Sequence, residues 1–434
     1  MRIFQAVIGL VLFGMLVAPT QAEDNWSQWR GPNFNGSTSA KDLPEKLSKE
    51  DALWSTPIPG HSNGTPIVFG DRIFVTSYAP QISAYCLSKK DGKILWQKSV
   101  SDISANKGRN DSATPSPVTD GKTVIFLFGT GDLLAYDMEG NELWKRNLQK
   151  DHGRWNYQWL YGASPLLYKG KLYIQVLHRD VNESNWGEPK PTDPRSDSYL
   201  LAVDPQTGKD LWKVVRPTDA KVESHEAYST PIPWERPAGT QILITGGDCV
   251  TGHDPETGKE IWRAGGWNPR KENSWRLVAA PVTSEGLVYV CPPKGGQILA
   301  FKEGGAGEVT ETHRAWKGNG LTSDAAVPLV FQENLYVLDG DKRQVACVDP
   351  KTGEKKWAGT IDSKGVFRAS LTGAEGKLYT MSEAGDVYVL SANEFKVLSK
   401  MPLGSDGGSR GSIAAVDGML IIRTGDKVWA FGKK

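Results

Sequence analysis

The string DPQTGKDLW at residues 204–212 recurs almost unchanged as DPETGKEIW at 254–262 and DPKTGEKKW at 349–357, and in looser form in KKDGKILW and DMEGNELW, which end at Trp96 and Trp144. A chain that writes one turn and one tryptophan this often is building a single unit many times over. The motif has a mechanical reading. Asp opens a tight turn by accepting backbone N–H groups, Pro fixes φ at the next position, and Gly takes the left-handed conformation that sends the chain back as a further strand. The Trp then stands on that outer strand, where its ring can pack on the neighbouring unit. A β-branched residue at Gly258 should therefore be costly.

Upstream of each motif runs a common pattern. One copy reads ATPSPV, TVIFLFG, DLLAYD and NELWKRNL, and the next reads GASPLLY, KLYIQVLH, SYLLAVD and KDLWKVV. Four short strands that alternate with period two make one small antiparallel sheet, and such a sheet cannot bury both faces alone. Trp54, Trp96, Trp144, Trp212, Trp262, Trp316 and Trp357 are separated by 42, 48, 68, 50, 54 and 41 residues, and an eighth position falls near Leu398. A period of this size with four strands per repeat predicts a β-propeller. The long interval contains RDVNESNWGEPKPTDPRSD, residues 179–197, whose polar and Pro-rich character marks an inserted surface loop.

The two ends settle the ring. The last repeat supplies three strands, GSIAAVD, MLIIRTG and KVWAFG, while ALWSTPI around Trp54 is a fourth strand lacking its first three. Joined, they make one complete blade and leave no open sheet edge in the circle. The chain is therefore expected to be all-β, an eight-bladed propeller over residues 51–434, with residues 23–50 lying across it as an N-terminal arm.

The opening stretch, MRIFQAVIGLVLFGMLVAPTQA, puts one Arg before an apolar run over residues 3–18 and ends on small residues, which predicts a secretory signal (1–22) cleaved after Ala22; the competing reading is an uncleaved anchor. Cleavage implies a periplasmic or extracellular protein. Lys plus Arg number 51 against 50 for Asp plus Glu, so no general field draws nucleic acid or an anionic membrane. Cys86, Cys249, Cys291 and Cys347 are widely spread and form no C-x-x-C, which gives a zinc site or attached haem no support. Cys86 and Cys347 read as small buried hydrophobes, while Cys249 and Cys291 fall in adjacent blades and leave a bridge open as an alternative.

AVDPQTGKDLW and CVDPKTGEKKW resemble the tryptophan docking motif, A-x-D-x-x-T-G-x-x-x-W, of pyrroloquinoline quinone (PQQ) repeat propellers, and the resemblance spans nearly the whole chain after the leader. It implies eight blades. The family includes quinoprotein alcohol dehydrogenases, which hold PQQ with calcium at the centre of one face, and a non-enzymatic lipoprotein of the outer-membrane β-barrel assembly machinery. WRGP, ESHEAYSTPI and TGGDCVTGHDPETGKEIW are closer to secreted bacterial members without an assigned activity. The departures matter. The dehydrogenases carry a disulfide between adjacent cysteines over the quinone and a Glu, Asn and Asp set around calcium, and neither can be matched here. The assembly lipoprotein needs a lipidated Cys at its mature start, which is also missing.

In a propeller the loop before each innermost strand reaches the rim of the central channel, so polar residues ahead of each Ser-Pro or Thr-Pro should converge. These are His61 and Asn63; Arg109 and Asp111; Tyr157, Trp159 and Tyr161; His225, Glu226 and Tyr228; then Trp275 and Arg276, Asp324, Arg368 and Arg410. Two readings compete. Arginines and aromatic rings over a cavity suit an anionic or polyhydroxylated organic ligand. Alternatively, Asp and Arg of adjacent blades pair to hold the ring shut. Glu223, His225 and Glu226 lie close together and could suggest a metal, but alternating strand geometry would split them between faces, so a hydrogen-bonded loop is the preferred reading. Trp155, Tyr157 and Trp159 could form a sugar platform or merely pack.

The preferred function is thus a ligand-binding or protein-scaffold propeller with no metal site. Its partner would be a small organic or carbohydrate ligand, or another protein, at the channel mouth, and the chain is expected to be a monomer. The alternatives are a quinoprotein oxidoreductase that oxidises an alcohol or sugar with PQQ and calcium, and a polysaccharide-binding module. Nothing singles out a catalytic base.

Overall fold

The computed structural model describes residues 25–102, 106–179, 197–294, 296–404 and 408–433. The expected leader, 1–22, and residues 180–196 of the expected insertion lie outside them. Short apolar runs broken by Gly turns build eight antiparallel sheets around one axis, seven of four strands and one of five. Numbered along the chain, the blades begin with the innermost strands Ile67–Phe69, Val118–Thr119, Leu166–Tyr168, Ile232–Trp234, Val282–Ser284, Leu329–Phe331, Thr372–Ala374 and Ala414–Val416. The fifth strand, Gly307–Glu308, runs parallel to the outer strand of blade 4 and covers its edge.

Blade 8 takes its outer strand from the other end of the chain, as the sequence implies. Ala52–Pro57 pairs antiparallel with Lys427–Gly432, setting Trp54 opposite Ala430 and Ser55 opposite Trp429. Each sheet buries both faces, and the period-two alternation decides which neighbour a side chain meets. Ile73 and Val75 point to blade 8, whereas Phe74 between them points to blade 2. Eight apolar clusters result, one at each blade interface.

At the periphery the repeated motif locks blades 8, 1, 2 and 5 each to the next by a hydrogen bond and blade 3 by the Trp212 ring alone, whereas Trp262 of blade 4 bonds Gln241 of its own blade. Where so bonded, the docking tryptophan lies over the turn glycine of the following blade and donates Nε1 to a carbonyl in that turn: Trp54 to Lys89, Trp96 to Met138, Trp144 to Pro205 and Trp316 to Pro350, at 2.9–3.1 Å. Gly258 shows why only glycine serves. Its φ is +73°, and a Cβ there would stand 2.5 Å from the Trp212 ring. In blade 7 the docking position is Ser399, opposite Val389 and next to the expected Leu398. Ser399 Oγ accepts the Leu47 N–H at 3.1 Å, and Leu43 and Leu47 supply the missing apolar bulk.

Residues 25–47 run across the end of the channel away from the loops that lead into the innermost strands. Trp26 exchanges two backbone hydrogen bonds with Val68, the Thr119 N–H donates to Ser27 O, the Leu167 N–H to Gln28 Oε1, and Gly373 is bonded to Gly36 and Thr38. The segment thereby satisfies open inner edges of blades 1, 2, 3 and 7. Arg30 is 1 % exposed and donates to the carbonyls of Pro328 and Leu371 in blades 6 and 7.

Candidate functional site

Each loop leading into an innermost strand passes through one equivalent position: Thr65, Ser116, Ser164, Thr230, Ala280, Val327, Ser370 and Ser412 in blades 1 to 8. The backbone N–H at that position donates to the hydroxyl of the next blade. Thr65 reaches Ser116 (2.9 Å), Ser116 reaches Ser164 (2.9 Å), and Ser164 reaches Thr230 (3.0 Å). On the other side Val327 reaches Ser370 (2.9 Å), Ser370 reaches Ser412 (3.1 Å), and Ser412 closes onto Thr65 (2.9 Å). The arc of six hydroxyls is interrupted at Ala280 and Val327, and there the Trp29 ring packs.

Above the arc is a cavity of about 140 Å³ to which all eight blades contribute, with Trp29 at its base. The assignment of Trp29 to the base follows from the register of the arm, whose bonds to Val68, Thr119, Leu167 and Gly373 each fall three residues beyond a hydroxyl of the arc. In extended chain that is roughly 10 Å deeper.

Eight of the expected residues line this cavity: Asn63, Arg109, Trp159, Tyr228, Arg276, Asp324, Arg368 and Arg410. The arginines are largely matched by carboxylates. Arg276 lies 3.5 Å from Glu223 and 3.4 Å from Asp324, Arg368 lies 3.6 Å from Asp324 and 2.6 Å from Asp341, and Arg410 lies 2.6 Å from Glu383. Arg410 also donates to the Arg109 carbonyl, while the Arg109 guanidinium sits 6.0 Å from the Trp159 ring centre. Both readings of the arginines are therefore met at once, since they face one cavity and they pair across blades.

Five others, His61, Asp111, Tyr161, Glu226 and Trp275, stand behind the wall. Asp111 is buried, with His61 Nδ1 at 3.0 Å and the Asn63 amide at 3.1 Å, and His61 Nε2 lies 3.0 Å from the Gly408 carbonyl, which ties blades 8, 1 and 2 together. Tyr161 is buried and donates to the Gln175 carbonyl at 3.0 Å. Glu226 is wholly buried and accepts from Arg179 Nε, the Tyr228 hydroxyl and the Gln158 N–H. Burial raises its pKa above the ordinary carboxylate value against the pull of Arg179, and burial followed by the Glu226 charge pushes the Tyr228 phenol well up. Trp275 packs on the core between blades 4 and 5 and donates to Glu272 at 3.0 Å.

Glu223 and His225 belong to a short 3-10 turn, Val222–His225, where Glu223 also accepts from Trp159 Nε1 at 3.3 Å. Of the aromatic trio only Trp159 lines the cavity; Trp155 packs on Tyr161 with ring centres 4.6 Å apart, and Tyr157 is buried. All four cysteines are free and buried. Trp29, the hydroxyl arc and the carboxylates Asp341 and Glu383 are additions to the expected set. The arc had a signal in the repeated Ser-Pro and Thr-Pro, whose hydroxyl is as constant as its proline.

The family model for the outer membrane protein assembly factor BamB matches residues 47–174 and 162–359. The chain belongs to this family of PQQ-like propellers. Among curated relatives, polyvinylalcohol dehydrogenases from a Pseudomonas species and from a Sphingopyxis species are 26% and 28% identical over 197 and 204 residues. Each match covers 44% of this propeller but only 29% and 28% of the relative's length. Among solved structures, BamB from Moraxella catarrhalis superposes with TM-score 0.61 at 16% identity over 87% of this propeller and 98% of that chain. A quinohemoprotein alcohol dehydrogenase from Comamonas testosteroni gives 0.66 at 13% identity over 95% and 81%. These two likenesses establish shared fold alone.

The donor set does not fit a quinone held with calcium. Among the described residues no group of three or more His, Cys, Asp or Glu side chains is placed to hold a metal ion. Asp324, the carboxylate that lines the cavity, is flanked by Arg276 and Arg368, whose charges would repel a cation there.

Proposed function

We propose that the protein is a periplasmic or extracellular ligand-binding propeller whose central cavity takes a small, acceptor-rich organic molecule such as a carboxylic acid. The observation that carries this is the imbalance of the lining. Six hydroxyls and the Arg109 guanidinium present donors, while the one lining carboxylate, Asp324, is already held by Arg276 and Arg368. A cavity rich in N–H and O–H groups favours a ligand that brings oxygen acceptors. The location is supported by the leader-like opening of the sequence, and among the described residues no helix is long and apolar enough to cross a membrane.

The competing reading is an alcohol oxidoreductase using PQQ and calcium. It is favoured by the names of the curated relatives, although the match covers under a third of their length. A thermal-shift panel of small carboxylic acids, with PQQ plus calcium as a separate arm, distinguishes the two. An acid present at a hundred times its Kd should stabilise the protein by about 2.7 kcal/mol, and its neutral amide should give a much smaller shift. A stoichiometric PQQ complex that reduces dye with ethanol or poly(vinyl alcohol) would replace this reading with the oxidoreductase.

A further inference from the structure

The arginines at the rim are the obvious seat for an anion, yet most of their charge is already matched. Arg276 and Arg368 share Asp324 and have Glu223 and Asp341 besides, and Arg410 has Glu383. An incoming carboxylate would compete with ion pairs already formed.

The inner arc is different. Each of its hydroxyl oxygens accepts one backbone N–H from the preceding blade, and a hydroxyl keeps one donor of its own. None of the six O–H groups meets a protein acceptor among the described residues, and all six side chains line the cavity while belonging to residues only 1–5 % exposed. Buried donors without acceptors are groups that a ligand satisfies.

Beneath them lies charge that is not matched. Arg30 is held by the carbonyls of Pro328 (3.0 Å) and Leu371 (2.9 Å), each the residue next to a position of the arc, and its guanidinium lies 5.9 Å from the Trp29 ring centre. No acidic side chain of the described residues pairs with it, and burial lowers its pKa to about 9, which leaves it protonated at neutral pH. A buried cation with dipoles but no counter-ion makes the base of the cavity electropositive.

We infer that the ligand binds with its anionic end inward: the hydroxyl arc over Trp29 is a carboxylate seat, and the remainder of the molecule points out past Val278 and Trp159 to the mouth. This rests on the ligand reading above and adds the orientation. Trp29 sets how deep the carboxylate reaches. Two or three O–H groups close on its oxygens, since a carboxylate offers about four lone-pair sites, and Arg30 acts through the ring without touching it. The acid must therefore be narrow at its carboxylate end, as an unsubstituted benzoate is.

The test uses the whole protein with 4-iodobenzoate and benzoate. In crystals of wild type soaked with 4-iodobenzoate, the anomalous peak of iodine should lie near Trp159 and Arg109, with the carboxylate between Ser370, Ser412 and Thr65. By calorimetry benzoate should bind at least tenfold more tightly than the neutral benzamide, and Ser412→Ala should weaken benzoate several-fold while leaving the far-UV spectrum unchanged. Iodine beside Trp29, with the carboxylate on Arg276 or Arg368, would overturn the inward orientation and leave the ligand reading standing. No binding of either acid would overturn both. Should Ser412→Ala fail to fold, the iodine position in wild type still decides.

Discussion

Two belts hold this torus together, one at the periphery and one at the axis, and they solve the same problem with different chemistry. At the periphery a tryptophan of one blade covers the turn glycine of the next and donates to its carbonyl. At the axis a backbone N–H of one blade donates to the hydroxyl of the next. Both run in the same sense around the ring. The outer belt is mainly apolar burial with one hydrogen bond attached, whereas the inner belt is hydrogen bonding alone. Each is also interrupted, and the N-terminal arm fills one interruption in each. Leu43 and Leu47 stand where blade 7 lacks its tryptophan, and Trp29 stands where blades 5 and 6 lack their hydroxyls.

If that contrast is right, breaking the outer belt should cost most. Trp96→Ala removes a buried indole between blades 1 and 2 together with one of the two donors to the Met138 carbonyl, leaving Arg72 as the other. The expected loss is about 3–5 kcal/mol, read from the shift in urea midpoint. At the same interface Ser116→Ala deletes only the acceptor of the Thr65 N–H, and should cost about 1–2 kcal/mol. The double variant sharpens the comparison. If the belts act separately, the two losses should add to within about 0.5 kcal/mol, and a larger coupling would mean that they form one unit.

An effect of the opposite sign is expected away from both belts, at Asp248, which holds the Asn268 amide at 3.0 Å and whose pKa is raised, chiefly by burial, to about 6. Its unfolded value is about 3.9. The native state thus carries the extra proton between those values, so stability falls as pH rises through that window and stays lower above it. Asp248→Asn should accordingly raise the melting temperature by a few degrees at pH 7, with the difference shrinking to nothing below about pH 4. A difference that persists at low pH would point to packing instead of ionisation.

The outer belt was plain in the sequence because its chemistry tolerates few substitutes. A positive φ under a large ring demands glycine, and the ring itself demands Trp, so Gly258 and Trp212 announce each other across 46 residues. The mating of the two ends was equally legible, since three strands at one end and one at the other leave a single solution. The mouth was read in part. Residues such as Arg276 and Arg368 could be placed by their position before a strand, but whether a side chain faces the cavity or the wall depends on one residue of offset. That is why Asn63 lines the cavity while His61 reaches back to Asp111. Trp29 was hidden for another reason. It lies in a segment without the repeat, and its partners Ala280 and Val327 are distinguished only by lacking a hydroxyl.

Pairing Ala52–Pro57 with Lys427–Gly432 has a consequence in time. Nearly the whole chain separates the two strands, so the entropy of closing that loop must be met before the contact returns anything, and contacts of such long sequence separation form slowly. Until then Trp54 has no sheet to stand on. The open horseshoe of seven blades is the natural waiting state, with sticky faces at both ends that a neighbouring molecule could occupy in place of its own. Crowding during refolding should thus favour exchanged pairs over single rings, a hazard that a linear array of the same blades would meet at every edge and this circle meets once.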